Sequence, residues 1–138
     1  MKTLALRWLK FNGVGAIGIV VQLVCLKLLV DGFHVHYEWA TAVAVETAVL
    51  HNFAWHERFT WKDRAGGSMR DRLMRLLRFQ LGNGLVSLVG NVAIMRLLVG
   101  VLHMKSVMIA NGIAIAGCSI VNFAAGEWFV FRRPAGMR

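Results

Sequence analysis

Two stretches of this chain nearly repeat one another: Asn52-Phe53-Ala54-Trp55-His56-Glu57-Arg58-Phe59-Thr60-Trp61-Lys62 and Asn122-Phe123-Ala124-Ala125-Gly126-Glu127-Trp128-Phe129-Val130-Phe131-Arg132. Asn, Phe, Ala, Glu and Phe recur in register from one stretch to the other, and an aromatic and then a basic residue close each. Upstream, Arg7-Trp8-Leu9-Lys10-Phe11 is answered at nearly the same spacing by Arg75-Leu76-Leu77-Arg78-Phe79. Paired entry and exit motifs imply a duplicated unit, covering about 7–64 and about 75–134, in a single domain spanning 1–138.

Between each entry and exit the sequence is apolar. Of 138 residues 57% are hydrophobic and only 17% charged, and the mean hydropathy is +0.57. A membrane helix needs ~20 mostly apolar residues, so four of them would use ~80, close to the hydrophobic content. The runs fall at about Phe11–Val30, Trp39–Phe59, Phe79–Val101 and Val107–Phe131. VCLKLLVDGF, after the first run, holds no small-x-small cleavage site, so that run reads as a span rather than a signal peptide. The expected fold is therefore an all-α membrane protein: four transmembrane helices as two hairpins. Because each unit has an even number of spans, the repeats are parallel. Ala40, Ala44 and Ala48 in the second span, and Ala110, Gly112, Ala114, Ala116 and Gly117 in the fourth, supply surfaces for close helix approach.

The net charge of +9 is distributed unevenly. Lys2, Arg7 and Lys10 precede the first span, and Lys62, Arg64, Arg70, Arg72, Arg75 and Arg78 fill the middle connection. Arg132, Arg133 and Arg138 close the chain, and the opposite side has only Lys105. The positive-inside rule places both termini and the middle connection in the cytoplasm. Tyr37 and Trp39 then mark the outer interface, and Trp8, Trp55, Trp61 and Trp128 the inner one. So little soluble surface remains that the basic excess does not imply a nucleic-acid partner. Ser68 with Asp71 has the spacing of a helix N-cap and its capping-box partner. Met69, Leu73, Leu76 and Leu77 share a face of the helix that follows, which predicts a short interfacial amphipathic helix between the hairpins, or else a solvated basic loop.

Ionisable groups inside spans carry the functional expectations. Lys27 and Arg96 stand at corresponding places in the two units, at matching depth near the outer ends of the first and third spans. They could receive a phosphate, which arginine grips in a fork, or snorkel to the interface; Lys27 could also pair with Asp31. Glu46 is deeper in the second span and is expected to pair with Lys27; a protonated Glu46 coupling transport to protons is the alternative. Asn52 and Asn122 could bond across a two-fold axis, or line a polar cavity with Gln80, Asn83 and Asn91. Glu57 and Glu127 are expected to clamp helix ends against Lys10 and Arg78. Cys25 and Cys118 lie in apolar runs and read as buried hydrophobes. The five histidines lack metal-ligand spacing, no cofactor motif is present, and no nucleophile–base pair can be assembled, so the chain is not expected to be an enzyme.

The Phe11-x-x-x-Gly15 opening, the duplicated Asn-Phe exit closing in an aromatic-x-Trp/Phe-Lys/Arg pattern, the length and the four spans together resemble the GtrA-like family of small membrane proteins. The likeness covers nearly the whole chain, although Glu127-Trp128-Phe129-Val130-Phe131 is less polar than its first copy. The resemblance implies a bacterial inner-membrane protein of polysaccharide assembly that flips a polyprenyl-phosphate-linked sugar from the inner to the outer leaflet. Related domains are fused to polyprenyl-phosphate glycosyltransferases, which implies such an enzyme as a partner. On this reading Arg7, Lys10, Arg75 and Arg78 gather the lipid phosphate. Lys27, Glu46, Asn52, Asn83, Arg96 and Asn122 are the candidate substrate contacts. Four thin helices leave little room for a sugar-phosphate path, so a homodimer or higher oligomer is expected. A membrane anchor for a cytoplasmic glycosyltransferase is the alternative, and a small proton-coupled cation exporter built around Glu46 is a third.

Overall fold

The computed structural model describes the backbone of residues 2–132, leaving the side chains of 2, 37, 38, 41, 88, 91, 95, 107, 108, 111 and 112 aside. Arg133, Pro134 and Arg138, and the side chains of Lys2, Tyr37, Asn91 and Gly112, lie outside the described residues. The chain divides into two units, Met1–Ala65 and Gly66–Arg138. Every described element is helical, with no strand among the described residues.

In the first unit α1 spans Lys2–Lys27 and continues through a wider π-type turn, Leu28–Gly32; α2 spans Tyr37–Trp55 and continues likewise through His56–Thr60. α1 begins well before the apolar run at Phe11, because Lys2–Lys10 contains no glycine or proline to stop it. The two helices pack along their length through small residues: Ala40, Ala44 and Ala48, spaced one turn apart on α2, are all buried. At Gly18 of α1 a β-carbon would lie 2.6 Å from Nδ2 and 2.7 Å from Cγ of Asn52, so only glycine admits that side chain.

In the second unit α3 spans Met69–Phe79, α4 Val86–Met95 and α5 Val107–Ala125, with π-type turns over Gln80–Leu85, Arg96–Val101 and Gly126–Val130. The capping box forms as expected. Ser68 Oγ accepts from the Asp71 amide at 3.3 Å, and Asp71 Oδ2 accepts from the Ser68 amide at 2.8 Å. The Ser68 hydroxyl donates to the same carboxylate at 2.8 Å and, with the backbone bond, holds Asp71 below the usual carboxylate range. The amphipathic helix expected between the hairpins does not stop where the apolar run at Phe79 begins. Phe79, Gln80, Leu85, Val86 and Arg96 all keep right-handed helical dihedrals, so α3 runs on into α4. The sequence between them holds no proline, and Gly82, Asn83 and Gly84 weaken the helix without stopping it. α4 packs on α5 through Gly90, whose β-carbon would meet Cys118 Sγ at 3.0 Å, and through Gly117 against Ile94 at 3.2 Å.

Each hairpin turns on a histidine. His34 (φ 54°) and His103 (φ 52°) are the two non-glycine residues with positive φ among the described residues. The flanking bonds also correspond: the Phe33 amide to the Leu28 carbonyl and Val35 to Leu29, then Leu102 to Leu97 and Met104 to Leu98. Outside these contacts the helices present isoleucine, leucine and valine, among them Ile17, Val20, Leu23 and Val24 on α1 and Ile113, Ile120 and Val121 on α5. Two helices, Thr3–Gly32 and Ile113–Val130, are long and apolar enough to cross a membrane.

Candidate functional site

The polar and aromatic side chains collect where the second helix of each hairpin ends. In the first unit Phe53, His56, Glu57, Thr60 and Trp61 are all buried, at steps of three, one, three and one, so a single stripe of α2 and its wide turn faces α1. The wide turn closes with the Trp61 amide on the His56 carbonyl at 2.8 Å. The His56 ring stacks on Phe11, centroids 4.8 Å apart at 13°, and Trp61 meets both rings edge-on at 5.3 and 6.0 Å. Thr60 Oγ1 is 3.0 Å from His56 Nδ1, which gives the buried imidazole a polar partner. Around this core, Lys10 Nζ lies 4.6 Å from the Phe59 ring centroid, and Arg7 Nη2 donates to Asp63 Oδ2 at 2.7 Å.

The second unit builds the same stripe from Phe123, Gly126, Glu127, Val130 and Phe131, closed by the Phe131 amide on the Gly126 carbonyl at 2.9 Å. Arg78 lies 6.0 Å from the Phe129 centroid, and Arg75 Nη1 donates to the Gly66 carbonyl at 2.9 Å. α3 packs against the Gly126–Val130 turn. Its Arg72, Arg75 and Arg78 are half-buried, whereas Met69, Leu73 and Leu77 are exposed.

Glu57 and Glu127 are 7% and 5% exposed and engaged by their surroundings. Lys10 and Arg78, expected beside them, are instead drawn over Phe59 and Phe129, because those two rings stand on the exposed flank of each stripe while the glutamates are buried. One helical turn or more deeper, Asn52 fits against Gly18 and approaches His51 Nδ1 at 3.3 Å. Asn122 donates to Ser87 Oγ at 2.5 Å, and its Oδ1 is buried without a hydrogen-bond partner. Asn83 and Gln80 are half-buried.

Lys27 ends α1, Arg96 opens the wide turn after α4, and Glu46 lies on α2; all three are exposed. Among the described residues no ion pair joins Lys27 to Glu46 or to Asp31. Sequence reasoning did not single out Asp63, Ser87, or the cluster of Phe11, His56, Thr60 and Trp61. The cluster has a sequence signal, the spacing of 53, 56, 57, 60 and 61 on one helical face, but mixed polarity hides it from a search for apolar stripes.

A family model described as GtrA/DPMS, transmembrane domain, matches residues 10–131. Over 83 residues, 60% of this chain, the sequence is 35% identical to a dolichol-phosphate mannosyltransferase of Pyrococcus furiosus. That stretch spans 23% of the relative's length.

Proposed function

The chain belongs to the GtrA/DPMS transmembrane-domain family, a membrane protein with at least two helices long and apolar enough to cross the bilayer, and on that premise we propose that it flips a polyprenyl-phosphate-linked sugar. In this reading residues 1–138 form one domain of the bacterial inner membrane, with four spans as two parallel hairpins and both termini cytoplasmic. Copies associate as a homodimer or higher oligomer, and the chain itself carries no catalytic group.

The observation that carries the proposal is the pairing of contacts in the two units. Lys10 over Phe59 matches Arg78 over Phe129, the Gly18–Asn52 contact matches Ser87–Asn122, and Cys25–Thr47 matches Ile94–Gly117, at offsets of 68 or 69 residues in the first helix and 70 in the second. The histidine turns at His34 and His103 correspond in the same way. These correspondences support a duplication that places cations at the inner edge of each unit, Arg7 and Lys10 in one, Arg75 and Arg78 in the other, to gather the lipid phosphate. Asn52, Asn83 and Asn122 then offer polar contacts to the head group, and Lys27 and Arg96 receive the phosphate outside. Glu46 lines the route, while Glu57 and Glu127 hold the helix ends.

The test uses vesicles carrying a fluorescent short-chain polyprenyl-phosphate sugar and the full chain. The Lys27→Ala/Arg96→Ala variant, expressed and inserted normally, is expected to lose most outer-leaflet delivery. Full delivery by that variant refutes the role of the two cations. A second reading, an anchor for a cytoplasmic glycosyltransferase, is favoured by the 23% share of the Pyrococcus mannosyltransferase that the matching stretch covers. Co-purification with such an enzyme, with no acceleration of flipping in vesicles, would select it.

A further inference from the structure

We infer that the second unit meets the sugar of the lipid-linked substrate at Asn83, Ser87 and Asn122, beside a wide turn that the first unit lacks. This rests on the proposed function and names where the sugar, as distinct from the phosphate, is recognised.

Of the five π-type turns among the described residues, four pair between the units: Leu28–Gly32 with Arg96–Val101, and His56–Thr60 with Gly126–Val130. Gln80–Leu85 has no counterpart, since α1 is unbroken from Lys2 to Lys27. The repeat accounts for it as an insertion. Phe11 and Gly18 are seven residues apart, whereas Phe79 and Ser87, which take the same places, are eight apart. A helix absorbs one extra residue by widening a single turn, and such turns recur at functional sites.

The contacts beside this turn also depart from those of the first unit. Gln80–Leu85 packs against α5 and the Gly126–Val130 turn, and one turn on, Ser87 stands where the first unit has Gly18. In the first unit Asn52 fits against that glycine, and its Oδ1 has His51 Nδ1 at 3.3 Å. In the second, Asn122 Nδ2 donates to Ser87 Oγ at 2.5 Å, while Oδ1 is buried without a hydrogen-bond partner. Asn122 is only 9% exposed. An acceptor left unmatched in such a place costs about 1–3 kcal/mol, which a ligand group that donates to it would recover. Asn83, half-buried one turn before Ser87, adds a second carboxamide on the same helix. Between them Gly84 leaves space, since a β-carbon there would meet nothing within 4 Å.

These groups suit the sugar end of the ligand. The phosphodiester oxygens accept hydrogen bonds and have no proton to give, so they cannot satisfy Asn122 Oδ1. A hydroxyl both donates and accepts: it can give its proton to Asn122 Oδ1 and accept from the Ser87 hydroxyl or the Asn83 amide.

The test measures binding of the full chain in phosphatidylcholine nanodiscs to fluorescent forms of two diesters, farnesyl-phosphoryl glucose and methyl farnesyl phosphate, which lacks the sugar. The unaltered chain is expected to prefer the sugar-bearing lipid about tenfold, as one or two added hydrogen bonds imply. Ser87→Ala/Asn122→Leu, which replaces the polar pair by an apolar one, should bring the two affinities within about twofold of each other, and Asn83→Leu should cut the preference about threefold. Thr47→Val, which removes a hydroxyl from the first unit, should keep it. Should the double variant not fold, Asn83→Leu and Ser87→Ala carry the comparison. Equal weakening toward both lipids, with the preference intact, marks the three residues as structural and overturns the site. So does a preference absent from the unaltered chain, or lost as fully in Thr47→Val; in each of these cases the flipping proposal stands. Binding of neither lipid by the unaltered chain overturns both. Displacement of the sugar-bearing lipid by free glucose at equal concentration overturns the lipid-linked ligand in favour of a free sugar.

Discussion

Replacing Gly18 by alanine tests whether the first hairpin is packed as described. The added β-carbon would lie 2.7 Å from Asn52 Cγ, about 0.8 Å inside the ~3.5 Å at which carbon atoms ordinarily rest, so the carboxamide must retreat. Such overpacking costs about 1–3 kcal/mol, and the retreat also disturbs the 3.3 Å approach of Asn52 Oδ1 to His51 Nδ1. Alanine is the better helix former by roughly 0.5–1 kcal/mol, which offsets part of the loss. Gly18→Ala is therefore expected to change stability by between about zero and a loss of about 2.5 kcal/mol. Gly15, one turn earlier on the same helix, meets nothing within 4 Å, so Gly15→Ala shows the propensity gain alone, roughly 0.5–1 kcal/mol of added stability. Reversible unfolding by sodium dodecyl sulfate in dodecylmaltoside micelles, followed by circular dichroism, measures both. In the double variant Gly18→Ala/Asn52→Ala the β-carbon has room, and a coupling of about 1 kcal/mol or more should appear in the cycle. If Gly18→Ala stabilises as much as Gly15→Ala, or the cycle shows no coupling, the Gly18–Asn52 contact is not there.

Two further outcomes follow from single polar contacts. Ser87→Ala leaves the buried Asn122 carboxamide with neither end bonded and should cost about 1 kcal/mol, which Ser87→Ala/Asn122→Leu recovers; a double variant no more stable than the single one contradicts this account. Asp71 has a lowered folded-state pKa, so its capping contribution is complete above the unfolded carboxylate range, ~4, and is lost as pH falls through the lower folded value. Carbon-13 detection of the Asp71 carboxyl should show its midpoint rising toward the ordinary value in Ser68→Ala, and an unchanged midpoint would mean that the capping box does not set it.

What was legible in the sequence was what local chemistry determines. Ser68 and Asp71 sit within one turn, and both capping-box bonds form. The small residues at Ala40, Ala44 and Ala48 share one helical face by spacing alone, and that face is buried. Contacts that depend on how two helices slide past one another were not legible. Lys10 and Glu57 are near in any hairpin register, yet the lysine goes to the ring of Phe59. Asp63 lies far along the chain from Arg7, and nothing short of the packed hairpin says that they meet. The continuity of α3 with α4 was not legible for another reason: a change from amphipathic to uniformly apolar composition looks like a boundary, whereas no proline lies between Phe79 and Val86 and Gly82-Asn83-Gly84 weakens the helix without ending it.

The two stripes at the hairpin exits share burial positions but not contents, which bears on what two units of like frame must retain. Where the first unit packs the imidazole of His56 against both Phe11 and Trp61, the second has Gly126. Gly82 packs beside that turn, where a β-carbon would meet Ala125 at 3.5 Å and Phe129 at 3.7 Å. Glutamate, by contrast, is buried at the same place in both. Volume can be traded between a side chain and a glycine contact because packing is non-directional, whereas a buried carboxylate needs specific donors and cannot be moved without leaving them unmatched. The glutamates therefore keep the same buried place in each unit while the residues around them differ. That difference is seen where Arg7 pairs with Asp63 in one unit and Arg75 bonds the Gly66 carbonyl in the other.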